Sequence, residues 1–155
     1  MQNGAGALAL RRGRCSQTGR IYLVTTGTVG RAPIFENFWH ARCVVRAVHD
    51  QATVAVTLAF VVMPDHVHWL FELAGDRPLS QVVGMMKSRA AWLINEARSR
   101  GRPVWTRAFH DHAVRREESI AAIARYLVLN PVRAGLVKSW RDYPHWDAVW
   151  LDAPP

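Results

Sequence analysis

Val61-Val62-Met63-Pro64-Asp65-His66-Val67-His68-Trp69-Leu70-Phe71-Glu72-Leu73 is the stretch on which the fold turns. Pro64 ends an apolar, β-branched run and Asp65 suits a turn, so these residues predict a strand, a tight turn and a second strand. Beyond the turn the side chains alternate. His66, His68, Leu70 and Glu72 point one way, and Val67, Trp69, Phe71 and Leu73 the other. Two histidines one residue apart therefore share a face, with Cα atoms roughly 6.7 Å apart, and both rings can converge on one cation. A pair of half-exposed imidazoles on a sheet face is the plainer reading, and this stretch alone does not choose between them.

Upstream, 52–62 supplies the partner strand of the hairpin, and 21–26 is β-branched and aromatic enough to be a first strand. Between them, 35–50 reads as a helix with Phe35, Phe38, Trp39, Val45 and Val48 on its buried side. Downstream, Gly75 and Pro78 mark a break. Ser80 is the expected N-cap of a second helix ending before Gly101, with Val82, Val83, Met86, Ala90, Leu93, Ile94 and Ala97 as its core stripe. Residues 103–114 read as a strand, or a strand and a loop, with a second His-x-His at His110 and His112. Glu117 and Glu118 suit the start of a third helix that Pro131 stops after Asn130. Residues 132–137 form a helical turn, and 140–155 an irregular aromatic cap. The sum is an α+β fold: a mainly antiparallel sheet of about four to five strands with helices packed on it. A single domain over 20–155 follows a flexible basic leader, 1–19.

The 155 residues suffice for one real core, and half are hydrophobic, which excludes a disordered chain. The net charge is +8, and 18 of the 20 cationic residues are arginine. A planar guanidinium matches phosphate, so this balance favours a nucleic-acid partner. Cys15 and Cys43 have no metal-like spacing, which suggests a reduced, cytoplasmic setting. No apolar run approaches membrane-spanning length, and the N-terminal charges follow rather than precede the apolar residues, unlike a signal peptide.

In the third helix Tyr126 and Asn130 are four apart and share a face one turn apart. A phenol is a competent nucleophile when a nearby cation stabilises its oxyanion, and an amide oxygen can join two imidazoles around that cation. Alone, Tyr126 is an interfacial aromatic and Asn130 a residue placed by its proline.

Taken together, Met63-Pro64-Asp65-His66-Val67-His68 and Tyr126-Leu127-Val128-Leu129-Asn130-Pro131-Val132-Arg133-Ala134-Gly135-Leu136-Val137 resemble the REP-associated tyrosine transposases. These are single-tyrosine HUH (His-hydrophobic-His) endonucleases. The resemblance runs through Trp105-Thr106-Arg107-Ala108-Phe109-His110-Asp111-His112 and Arg115-Arg116-Glu117-Glu118 and covers roughly residues 20 to 147. It implies a ferredoxin-like HUH fold. The implied activity is metal-dependent cleavage and rejoining of single-stranded DNA beside imperfect hairpins, the repetitive extragenic palindromes (REP). Tyr126 would be the nucleophile, through a 5′-phosphotyrosine, and His66, His68 and Asn130 the ligands of Mg²⁺ or Mn²⁺. A monomer is the family expectation. Arg115, Arg116, Arg125, Arg133, Lys87 and His112 are candidate DNA contacts. The rival reading is a non-catalytic nucleic-acid-binding protein derived from a transposase. A dinuclear zinc centre at the second His-x-His lacks an accompanying acidic cluster. Asp65 stands where Asn is commoner, Thr26-Gly27 where a basic residue is commoner, and Asp147-Ala148 where a small Ser pair is usual.

Overall fold

The computed structural model describes residues 16–99 and 101–149. Cys15, most of the expected leader and the last residues of the cap lie outside them. Five strands form one sheet: β1 (Ile21–Gly27), β2 (Ala55–Met63), β3 (His66–Leu73), β4 (His110–Ala113) and β5 (Trp146–Ala148). Their order is β4-β1-β3-β2-β5, and every neighbouring pair is antiparallel. Pro64 and Asp65 form the turn that joins β2 to β3, placing Met63 opposite His66.

Alternation along β3 sorts the sheet into two faces. Val67, Trp69, Phe71 and Leu73 join Tyr22, Val24 and Val62 in the larger core. Helices α1 (Phe38–His49) and α2 (Leu79–Arg98) cover that face. Fully burying each large apolar side chain there contributes roughly 1.5–3 kcal/mol. The opposite face is smaller. Ala59, Val61, Met63 and Leu70 pack against Ala124 and Leu127 of α3 (Ile120–Val128). His66 and His68 have the parity of Leu70, so they lie on the α3 face.

Several local expectations are corrected. In α1 Phe38 and Trp39 are exposed, and the helix buries Ala41, Val44, Val45 and Val48 instead. Those four have the i, i+3, i+4, i+7 spacing of one face, and Asn37 caps the helix by accepting from the backbone N–H groups of Trp39 and His40. Ser80 is not the cap of α2; that helix begins at Leu79, whose N–H donates to Ser16 Oγ at 2.8 Å. The Thr18 hydroxyl donates to the Gly75 carbonyl and the Gly19 N–H to that of Leu73, so residues 16–19 of the expected leader are tied to the body. At the other end α2 stops with Ser99 in the left-handed region, two residues before Gly101, and Ala97 is exposed.

Glu117 and Glu118 precede the third helix rather than open it. Ser119 is its N-cap, its Oγ accepting from the Ala122 N–H. Pro131 does not end the helical course. It sits at the start of a short α4 (Asn130–Arg133), where a missing N–H costs nothing. The strand expected over 103–114 is limited to β4 and an isolated bridge between Thr28 and Trp105. The irregular cap contributes β5, which pairs with β2.

Candidate active site

The two histidine rings face each other edge to face, with centroids 4.8 Å apart. Each is held by its Nδ1. His66 Nδ1–H donates to Asp65 Oδ1 at 2.7 Å, and His68 Nδ1 lies 2.7 Å from the Thr25 hydroxyl, the residue opposite it on β1. The carboxylate makes Nδ1 the protonated nitrogen of His66 and leaves the lone pair on Nε2; His68 offers its Nε2 in the same way when its Nδ1–H donates to the Thr25 hydroxyl oxygen. A carboxylate or hydroxyl on the far nitrogen is how a protein fixes the tautomer and orientation of a ligating imidazole. Burial, then the neighbouring His66, Arg133 and Arg31, push the His68 pKa down to about 4, so that ring is neutral and its lone pair available at neutral pH.

Tyr126 stands on the outer side of α3, 61% exposed, while Leu127 and Ala124 beside it are buried against the sheet. One guanidinium organises the surroundings. Arg133 lies 3.6 Å over the centre of the Tyr126 ring. It also donates to the Tyr126 carbonyl at 2.7 Å and to Asn130 Oδ1 at 2.8 Å. Arg133 thus ties the phenol of α3 to the amide that opens α4, and its charge is felt at His68. The Asn130 Nδ2 is buried with no hydrogen-bond partner among the described residues.

Two imidazole nitrogens and an adjoining amide fit a divalent cation with some affinity for nitrogen, and Mn²⁺ better than Mg²⁺, which prefers oxygen throughout. Among the described residues there is no group of three or more His, Cys, Asp and Glu side chains placed to hold a metal ion. An ion here would rest on the histidine pair, the amide and oxygens of substrate or water.

The other expected DNA contacts separate. Arg115, Arg116 and Arg125 are exposed around and on α3. His112 is on the same sheet face as His68, but its Nε2 engages both oxygens of Glu118 at 2.9 and 3.0 Å. Glu118 also accepts from the Arg115 N–H, and these two hydrogen bonds lower its pKa. Lys87 lies on the other face of the sheet. Its ammonium donates to the Thr106 carbonyl at 2.7 Å, and burial lowers its pKa.

Sequence reasoning missed Arg31 and the orienting roles of Asp65 and Thr25. Arg31 Nε lies 3.2 Å from Asp65 Oδ2, the second oxygen of the carboxylate that holds His66. Its Nη1 comes within 3.1 Å of where a Cβ on Gly27 would stand, so the small residue at the end of β1 makes room for it. A cation expected on the strand is thereby supplied in space from the following loop. Arg31 has φ of 56°, a conformation costly for a side chain of this kind and one that tends to mark functional segments.

A five-stranded antiparallel sheet with a His-x-His pair on one face, Tyr126 on the helix that covers it and Asn130 at the start of the next, matches the fold of a transposase of the HUH type. The chain belongs to the IS200-like transposase family, whose model matches residues 21–130. It is 31% identical to a REP-associated tyrosine transposase of Escherichia coli over 90 residues, 56% of this chain and 50% of that protein. It is 26% identical over 99 residues to a Haemophilus influenzae protein assigned to the same group, 57% of this chain and 56% of that one. The chain therefore spans about half the length of the curated relatives it matches. Its fold superposes on the structure of a REP-associated tyrosine transposase bound to a REP hairpin. That match has a TM-score of 0.67 and 23% identity, and covers 86% of this chain and 79% of the other. Among the described residues no helix is long and apolar enough to cross a membrane.

Proposed function

We propose that the protein cuts and rejoins single-stranded DNA beside a hairpin, with Tyr126 as nucleophile. The observation that carries this reading is the His66–His68 pair, each ring anchored through Nδ1 on the sheet face that α3 covers, with Arg133 joining Tyr126 of α3 to Asn130 of α4. The E. coli and H. influenzae relatives and the hairpin-bound fold neighbour support the same substrate class.

In the proposed reaction the Tyr126 oxygen forms a bond to the scissile phosphorus as the bond to the 3′-oxygen breaks. The phenol loses its proton to solvent, to which the side chain is open, and the departing 3′-oxygen takes one up. The products are a 5′-phosphotyrosine and a free 3′-hydroxyl. The ester bond energy is kept in the protein–DNA link, so a 3′-hydroxyl can reverse the step without a nucleotide cofactor. His66, His68 and Asn130 would hold Mg²⁺ or Mn²⁺. When bound, such an ion polarises the phosphate and neutralises developing charge. Asp65 and Thr25 keep the two imidazoles in register, and Arg133 holds the Tyr126 ring and the Asn130 amide in fixed relation, which is the positioning such chemistry needs.

The test is covalent trapping. Hairpin oligonucleotides with single-stranded flanks, labelled 3′ of the expected cut, are incubated with protein and Mn²⁺ and resolved under denaturing conditions. A protein–DNA band is expected for the wild type and none for Tyr126→Phe, with hairpin binding nearly unchanged. An adduct that persists in Tyr126→Phe removes Tyr126 from the role. Binding without any adduct in the wild type would leave a DNA-binding protein that does not cleave.

A further inference from the structure

The exposed aromatics of α1 lie at the end of the sheet where the β2–β3 turn carries His66. The Phe35 N–H donates to the Pro64 carbonyl at 2.9 Å, in the turn itself. Three residues on, Phe38 packs on the His145 ring at 5.1 Å, and the His145 carbonyl accepts from Val62, next to Met63, the residue paired with His66. Phe38 in turn holds Trp39 edge to face at 5.2 Å and 87°. Trp39 is 71% exposed, the most exposed of the large apolar side chains among the described residues. Its flanks are therefore fixed while its indole face is open to solvent.

The stripe that Trp39 begins is cationic. Arg42 and Arg46 follow at i+3 and i+7 on the same face of α1, and both are exposed. Arg42 is steadied by its bond to the Pro144 carbonyl at 3.1 Å, and Glu36 stands before the stripe. An open aromatic face with guanidinium groups along one line is the pairing that binds unpaired nucleotides: bases stack, and phosphates meet arginine. Neither Arg42 nor Arg46 has an ion-pair partner among the described residues, so both charges are open to phosphate.

We propose that Trp39 is a stacking platform for an unpaired base of the strand flanking the scissile phosphate, with Arg42 and Arg46 following its backbone. This deepens the single-stranded DNA reading above and rests on it. The Trp39 indole, open to solvent in the free protein, is then covered when DNA is bound.

The experiment measures affinity of the full chain for a hairpin oligonucleotide with flanks, as a function of salt. Trp39→Ala is expected to weaken binding by about tenfold, since base–aromatic stacking is worth about 1–3 kcal/mol. Its log–log salt slope should stay that of the wild type, because no phosphate contact is lost. The Arg42→Gln and Arg46→Gln pair should flatten the slope. Trp39→Phe should restore most of the affinity. An abasic nucleotide at the stacked flank position should weaken the wild type and have no further effect in Trp39→Ala. Trp39 is exposed, so Trp39→Ala is expected to keep the wild-type melting temperature. Wild-type affinity in Trp39→Ala, while the wild type still forms adduct, would overturn the proposal and leave the enzyme reading intact. Unchanged DNA affinity with loss of a concentration-dependent dimer would assign the patch to a second copy instead. A wild type that binds no flanked hairpin at all would remove the DNA reading and this proposal together.

Discussion

His66 and His68 are adjacent in the motif, yet their anchors come from different places. Asp65 is the preceding residue, and Thr25 is brought opposite His68 by the pairing of β1 with β3. Each anchor fixes a ring through Nδ1 and leaves Nε2 for a ligand. Removing such an orienting partner typically lowers metal affinity 10–100-fold. Asp65→Ala is therefore expected to weaken Mn²⁺ binding by about that factor in calorimetric titration, with His66→Ala losing more. Equal Mn²⁺ affinity in wild type and His66→Ala would dismiss the ligand assignment. Trp39 belongs at this scale too. Its spacing places it with Arg42 and Arg46, opposite the buried Ala41, Val44, Val45 and Val48.

At the scale of elements, α3 is the part that brings Tyr126 to the site, and its start is set by one side chain. Ser119 Oγ accepts from Ala122 N–H at 3.1 Å, while the adjacent Glu118 ties the loop to His112 of β4. Ser119→Ala should cost about 1 kcal/mol, the usual value of such a cap, read as a lowered midpoint in urea denaturation. Adduct formation should fall further than folding stability, because fraying at Ser119 loosens the helix that holds the nucleophile. If stability drops and trapping at saturating DNA does not, α3 is held by its packing on Leu70 and Met63 rather than by its cap. The break between α3 and α4 matters as much. Pro131 at the start of α4 allows the chain to turn yet keep helical geometry, and this is what folds Arg133 back onto Tyr126 and Asn130.

Across the molecule, the C-terminal stretch closes the β2 edge. Val62 is paired to His145, the Tyr143 hydroxyl donates to the same Val62's carbonyl, and β5 continues the pairing. Burial pushes the Tyr143 phenol up to about 12, so it remains a donor throughout the physiological range. Burial, and then Arg42, hold the His145 pKa down to about 4, and its Nδ1 is buried without a partner among the described residues. The rings that face it are Phe38 and Tyr143. The unfolded chain takes up this proton below roughly 6.5, while the folded one does so only near 4. Over that window the unfolded state binds more protons, so stability falls as pH falls. The urea midpoint should decline between pH 6.5 and 4, and His145→Gln should make the decline shallower. A decline of unchanged steepness in that variant would place the effect on other groups.

The sequence alone determined the hairpin, because a proline and an aspartate between two alternating apolar runs leave few other conformations, and strict period two put both histidines on one face. It also set Tyr126 and Asn130 four residues apart, although the third helix ends at Val128 and Asn130 opens α4 instead of sharing the exposed face of Tyr126. What it left open depended on contacts distant along the chain. Ser16 capping α2, Thr25 holding His68, Arg31 pairing with Asp65 and the late strand β5 all join residues tens of positions apart. Local periodicity carries no record of them. Only the tertiary structure decided that α3 lies over the histidine face and that Arg133 links the phenol to the amide. In each case the outcome rests on which surfaces are buried against which, and that is a property of the packed chain as a whole.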